Sequence, residues 1–257
     1  PVRVVVFVGL VVPVRVVVFV GLVVPVRVTV PVGVVVLAGV PASPALGPVE
    51  PRAAEAYELR MGAIERVAGH DAQSLRLTPR DNLRFAQALW VEPASGLLLR
   101  ADVVGPRGET LESSAFSDLV IGAKAQPQVV LGPMKKLEGF KIVRAAASRT
   151  HLEAEGWTLV RGVPGFSPVG CIKRPLDPTA AGDAASPQVL QAVFADGLTH
   201  VSVFVERFDA QRHKPLRTAV GASHTLAQAQ GDWWITIVGE VPMVTVELFA
   251  AALKRRA

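Results

Sequence analysis

From residue 54 onward this chain is written in short segments of alternating apolar and polar side chains, most of them bounded by glycine, proline or an Asp-Gly pair. A period of two marks a half-buried strand, and closely spaced turn residues let consecutive strands pair antiparallel. "AYELRMG" puts Tyr57, Leu59 and Met61 on one face and Glu58 and Arg60 on the other. "SLRLT" continues the alternation through Leu75 and Leu77 behind the turn "AGHD". "RFAQALWVE" and "LLLRADVV" read as strands joined by Pro93 to Gly96, and "PRG" at 106–108 turns the chain into "ETLESSAFSDLVIG". The expectation is an antiparallel meander of about five strands.

Residues 123–150 break the pattern: Lys124, Lys135, Lys136, Lys141, Arg144 and Arg149 face only Glu138, and Pro127, Gly132, Pro133 and Gly139 interrupt any period. This reads as a linker, whose basic residues are either a solvated face or a contact for an anionic partner or lipid headgroup. Beyond it, "QVLQAVFADGLTHVSVFVERF" carries Asp196-Gly197 as a turn before a strand with Val201, Val203 and Val205 on one face. "WWITIVGEV" follows Gly231-Asp232 and has apolar residues on both faces, the mark of a strand covered on both sides. Pro242 suits a first helical residue, and Val246, Phe249, Ala250 and Leu253 then fall at i, i+3, i+4 and i+7. Lys254, Arg255 and Arg256 would complement the negative end of that helix. The second half is thus expected to be a small antiparallel sheet with a terminal helix packed on it.

The front of the chain is different in kind. "PVRVVVFVGLVV" fills residues 1–12 and recurs unchanged at 13–24, and a degraded copy opens at Pro25. Arg3, Arg15, Arg27 and Glu50 are the only charges in residues 1–51, whereas the remainder carries 24 basic and 21 acidic residues, an ordinary soluble surface. Prolines and the regular arginines leave no apolar run within the repeats near the roughly 20 residues a membrane helix needs. Three readings stay open for the segment: a degenerate export signal, a β-prone repeat with a structural purpose, or an artefact outside any domain. The net charge of +5 splits into +2 from this region and +3 from the rest, without the dense basic stripe that nucleic-acid binding leaves.

Residues that could carry chemistry are sparse. Cys171 is the only cysteine and rules out an internal disulfide, and the five histidines lack any spacing that puts two on one helical face as ligands. "GFSPVG" sets Ser167 after Gly165 but has Val169 where a nucleophile elbow needs glycine, and Pro168 makes it a loop. Glu153 and Glu155 stand at i, i+2 and read as solvated carboxylates. Trp233 and Trp234 are a binding platform or, for at least one of them, core. No phosphate-cradling glycine loop is present. No catalytic residue, metal or cofactor is nominated.

"ERVAGHDAQSLRLTPRDNLRFAQALWVEPASGLLLRADVVGPRGETLESSAFSDLVIG", followed in order by "GWTLVRGVPGF", "FADGLTHVSVFVE" and "GDWWITIVGEVP", resembles the RseB/MucB family of periplasmic regulators of the envelope-stress sigma factor. The likeness covers about residues 54–257. It implies an α+β protein that is not an enzyme: an open antiparallel β-barrel similar to the lipoprotein carriers LolA and LolB, then a small antiparallel sheet with a C-terminal helix. Mapped here, 1–51 would be non-domain, 52–122 the second half of the barrel domain with its first half absent, 123–150 the linker and 151–257 the smaller domain. Such proteins bind the periplasmic domain of a membrane anti-sigma factor and shield it from proteolysis, with lipid or lipopolysaccharide as a releasing signal; a carrier or sensor of lipid or lipoprotein ligands is the alternative. For partner binding the expectation falls on Lys135, Lys136, Phe204, Arg207 and Trp234, because aromatic and arginine anchors dominate interfaces.

Overall fold

The computed structural model describes residues 34–37, 51–122, 141–144, 147–176 and 186–256. Its first part runs β1 (Val34–Leu37), α1 (Pro51–Ala56), β2 (Tyr57–Val67), β3 (His70–Pro79), β4 (Ala86–Val91), β5 (Leu98–Val104) and β6 (Thr110–Ala115). The rest is β7 (Lys141–Arg144), β8 (Ser148–Arg149), β9 (Trp157–Leu159), β10 (Ser167–Pro175), β11 (Gln188–Ala195), β12 (His200–Arg207), β13 (Leu216–Val220), β14 (Ser223–Gln230), β15 (Trp233–Gly239), α2 (Met243–Ala252) and β16 (Leu253–Arg255). Among the described residues antiparallel sheets dominate, helices are few, and neither main sheet closes into a barrel.

Strands β2 to β6 form the expected meander in sequence order. Glu92 fixes the β4–β5 turn by accepting from the amides of Ala94 (3.1 Å) and Ser95 (2.6 Å), and Gly96 supplies the left-handed residue at φ 70°. Leu59 pairs with Leu77 and Met61 with Leu75, so the period read in the sequence is correct. The burial is not: Tyr57 is buried, but Leu59 and Met61 are 59% and 72% exposed, because β2 is the outer strand and nothing described covers its apolar face. A second difference lies at "RFAQALWVE", where the strand begins only at Ala86; Leu83, Arg84 and Phe85 precede it and turn inward, all buried.

The second sheet has the order β13-β14-β15-β12-β11-β10-β8. Val203 pairs with Ile237 and Val205 with Ile235, so β12 and β15 lay one continuous aliphatic face beneath α2. Into that face α2 sends Val246, Phe249 and Ala250, and Phe249 meets the rings of Phe166 (5.6 Å) and Phe194 (5.1 Å). Burial of each such side chain contributes about 1.5–3 kcal/mol, which makes this core the main source of stability. Pro242 stands one residue before the helix, as its N-cap. The C-terminal expectation needs correction: α2 stops at Ala252, and Leu253, Lys254 and Arg255 form β16, paired with β9, so these basic residues belong to a strand and not to a helix end.

Strand β1 pairs parallel with β7, Val34 against Lys141 through Leu37 against Arg144. Those residues fall inside the stretches expected to be non-domain and linker. The rest of residues 1–50, with both exact dodecamers, and residues 123–140 and 145–146 of the linker lie outside the described residues. No described helix is long and apolar enough to cross a membrane.

Candidate functional site

Two constructions stand out, one joining the sheets and one at the rim of the second. The first is centred on Arg84, in the irregular segment between β3 and β4. Its Nε donates to Asp196 Oδ2 at 2.6 Å, Nη1 to Asp81, and Nη2 to the carbonyl of Pro164 at 2.9 Å. The guanidinium carbon lies 4.7 Å from the Phe166 ring centroid. Arg84 and Asp196 side chains are 1% and 0% exposed, so the charges meet without water. Asp196 also accepts from Tyr57 Oη at 3.2 Å and, through Oδ1, from the amides of Leu198 (2.9 Å) and Thr199 (2.8 Å). Every oxygen of this buried carboxylate thus has a hydrogen-bond donor, the condition under which a polar group can be buried between sheets without a large penalty. Burial and the Asp196 charge push the Tyr57 phenol far above its ordinary value, so it remains a donor.

Gly165 makes this geometry possible. It sits at φ +77°, and a Cβ there would stand 2.0 Å from an Arg84 terminal nitrogen. The glycine of "GFSPVG" therefore clears space for a guanidinium, and Ser167 opens β10 opposite Ala195; the loop reading of Ser167 is corrected. On either side of the clamp the sheets interlock. Leu198 packs on the first-sheet cluster of Tyr57, Leu77 and Leu89, while Leu83 joins the second core and its carbonyl accepts from Thr245 Oγ1 at 2.6 Å.

The second construction gathers aromatic rings and cations where β12, β15, β9 and β16 end. Arg207 and Arg255 place their guanidinium carbons 4.2 and 4.7 Å from the centroid of Trp233, whose indole meets that of Trp157 edge-on at 5.7 Å. Trp157 is buried and Trp233 half-buried, while both arginines are exposed. Glu155, the neighbouring acid, is already engaged by Lys173 Nζ (2.8 Å) and Thr150 Oγ1 (3.0 Å). The Lys173 bond is the main cause holding the Glu155 carboxyl below the ordinary carboxylate range. Glu155 is thus a structural ion-pair member, and the solvated reading fits only Glu153.

Of the residues expected to meet a partner, Arg207 alone is exposed among those described. Phe204 is 4% exposed, packed with Val189, Val238 and Leu176 on the face opposite α2. Trp234 is 5% exposed beneath the loop after β12, stacked flat on His213 at 4.7 Å and flanked by Phe208. Both are corrected to core, because the sheet is covered on both faces. Lys135 and Lys136 lie outside the described residues. Reasoning from sequence missed Arg84, Asp196, Trp157 and Arg255; the only signal was Asp196-Gly197, legible as a turn and silent about the ion pair. Cys171 is half-buried, and burial pushes its thiol up to about 11, so it is protonated at neutral pH. No group of three His, Cys, Asp or Glu among the described residues could hold a metal.

Comparison with known proteins matches residues 34–134 to the family model of the MucB/RseB N-terminal domain and residues 151–254 to that of the MucB/RseB C-terminal domain. The sigma factor AlgU regulatory protein MucB of Pseudomonas aeruginosa is 32% identical over 213 residues, 78% of this chain and 61% of that protein. The sigma-E factor regulatory protein RseB of Salmonella typhimurium is 26% identical over 212 residues, 80% of this chain and 62% of its own. The chain thus spans about three fifths of the length of these curated relatives. Among solved structures, MucB in complex with MucA(peri) aligns at TM-score 0.59 and 26% identity, covering 80% of this chain and 70% of that one. The Pseudomonas aeruginosa MucA/MucB complex aligns at TM-score 0.63 and 25% identity, covering 82% and 70%.

Proposed function

The chain belongs to the MucB/RseB family, and from that membership we propose that it is a periplasmic negative regulator of the envelope-stress sigma factor response. It holds the periplasmic domain of a membrane anti-sigma factor and shields it from proteolysis, making and breaking no bonds itself. The observation that carries this reading is the likeness, across 80% of the chain, to MucB crystallised with MucA(peri). Two features of the molecule support it: a clamped pair of sheets, which presents a fixed surface, and an exposed arginine–tryptophan platform of the composition that anchors polypeptides. The division of labour we propose gives the two roles to 52–122 and 151–257, the second part joined by Ser148–Arg149 as the edge strand β8. Mixing the full chain with the anti-sigma periplasmic domain tests the proposal. Retention with a Kd on the order of 10 μM or tighter supports it, and no retention at several times that concentration sinks it.

A second reading, capture of a lipid or another apolar ligand, is favoured by one observation. Leu59, Met61 and Ile64 are 59%, 72% and 62% exposed on the same face as Leu75 and Leu77. An acyl chain found by mass spectrometry in the purified protein supports that use of the face; a lipid-free protein that also fails to take up a fluorescent fatty acid removes it.

A further inference from the structure

The Arg207–Trp233–Arg255 platform has a chemistry more specific than a generic contact surface. Stacking on an indole engages the flat face of a guanidinium and leaves its in-plane N–H fork, which matches a carboxylate in geometry and charge. Arg255 uses one of those donors on the carbonyl of Glu155 at 2.9 Å. Among the described residues neither Arg207 nor Arg255 pairs with a carboxylate, and the nearby Glu155 is claimed by Lys173. Two exposed cations are therefore held against one ring, neither in direct contact with a carboxylate among the described residues, although Glu155 lies close enough to Arg255 to feel its charge. Their immobilisation by Trp233, itself braced by buried Trp157, removes much of the side-chain entropy that an incoming anion would otherwise have to offset.

We propose that this platform docks an extended acidic segment of a polypeptide, with carboxylates two residues apart engaging Arg207 and Arg255. An extended chain returns a side chain to the same side every second residue, about 6.5–7 Å along, so alternate acidic positions of one strand face a single surface. The assignment rests on the partner-holding role proposed above and deepens it by naming the partner's chemistry.

The test measures fluorescence anisotropy of a labelled peptide alternating glutamate and threonine against the full chain, beside the same peptide with glutamine for glutamate. The glutamate peptide is expected to bind at least tenfold tighter, and to weaken as salt rises. Arg207→Glu should lower its affinity at least tenfold, Arg207→Lys should lose an intermediate amount because charge remains while the stacked fork is lost, and Arg255→Gln should weaken binding severalfold. An unchanged melting temperature shows each variant folded; Arg207→Lys serves if the reversal does not fold. Equal binding of the two peptides, no saturation below the millimolar range, or Arg207→Glu within twofold of the parent overturns the proposal. The same variants, assayed with the anti-sigma periplasmic domain, separate the two ideas. If the parent chain binds the glutamate peptide but not that domain, the regulatory reading fails and the acidic-peptide surface stands. If the domain is held equally by the parent and all three variants, the surface is wrong and the regulatory reading stands.

Discussion

Replacing Asp196 with alanine would leave Arg84, 1% exposed, in the interface between the sheets with only the partly exposed Asp81 as an anionic partner. The change also removes the acceptor for Tyr57 Oη and for the amides of Leu198 and Thr199. Breaking one side of a buried pair costs about 3–5 kcal/mol, a large part of the roughly 5–15 kcal/mol that holds a typical domain. Asp81 compensates only in part, because its side chain is 35% exposed and solvent screens its charge. With a urea m-value of about 2 kcal/mol/M, Asp196→Ala should lower the midpoint by about 2 M. Tryptophan fluorescence reads both parts, since Trp90 lies in the first sheet and Trp233 and Trp234 in the second. If the clamp couples the sheets, the single transition should split. Arg84→Met with Asp196→Asn, which removes both charges but keeps an acceptor for the turn amides, should return to within about 2 kcal/mol of the parent. A loss below about 1 kcal/mol for Asp196→Ala, or a double variant as unstable as the sum of its singles, would refute the clamp.

Gly165→Ala should cost about 1–3 kcal/mol, from a non-glycine residue at φ +77° and a Cβ that displaces the Arg84 guanidinium; combined with Asp196→Ala the losses should fall short of additive, as chemical denaturation would reveal. Cys171, its thiol raised from 9.0 to about 11 by burial, should react with iodoacetamide near pH 8 roughly a hundredfold more slowly folded than in urea; equal rates would contradict the burial. His224 has its pKa lowered from 6.5 by burial and by Arg217, with Nδ1 buried and unpartnered and Phe85 against its ring. The unfolded chain therefore takes up a proton first as pH falls below 6.5, stability drops in that window, and His224→Phe should flatten the fall in urea midpoint between about pH 7 and pH 5.

How much of this was legible from residue order depends on whether the cause was local. The apolar faces of β15 and α2 are set by spacing alone, and Ile235, Ile237, Val246 and Phe249 are all fully buried. The β2 alternation was equally clear, yet burial needs a neighbour and the sequence says nothing about which strand is last in a sheet. Lys254 and Arg255 looked like a helix terminus because basic ends are common there; the pairing of Leu253 with Leu159 across nearly a hundred residues overrides that preference. Phe204 and Trp234 illustrate the same limit from the other side, since aromatic anchors and aromatic core share one composition. Arg84 was the least legible. An arginine in "DNLRF" reads as solvated, and its burial is licensed by Asp196, Pro164 and a glycine at 165, none of them near it in sequence.

The role proposed for this chain is to protect another polypeptide by holding it. The direct measurement follows cleavage of the anti-sigma periplasmic domain by a protease that cuts it, with and without a saturating amount of the chain. The half-life of the intact domain should lengthen at least tenfold, and Arg207→Glu should shorten it again. Cleavage at the same rate with the chain present at saturation would contradict the account.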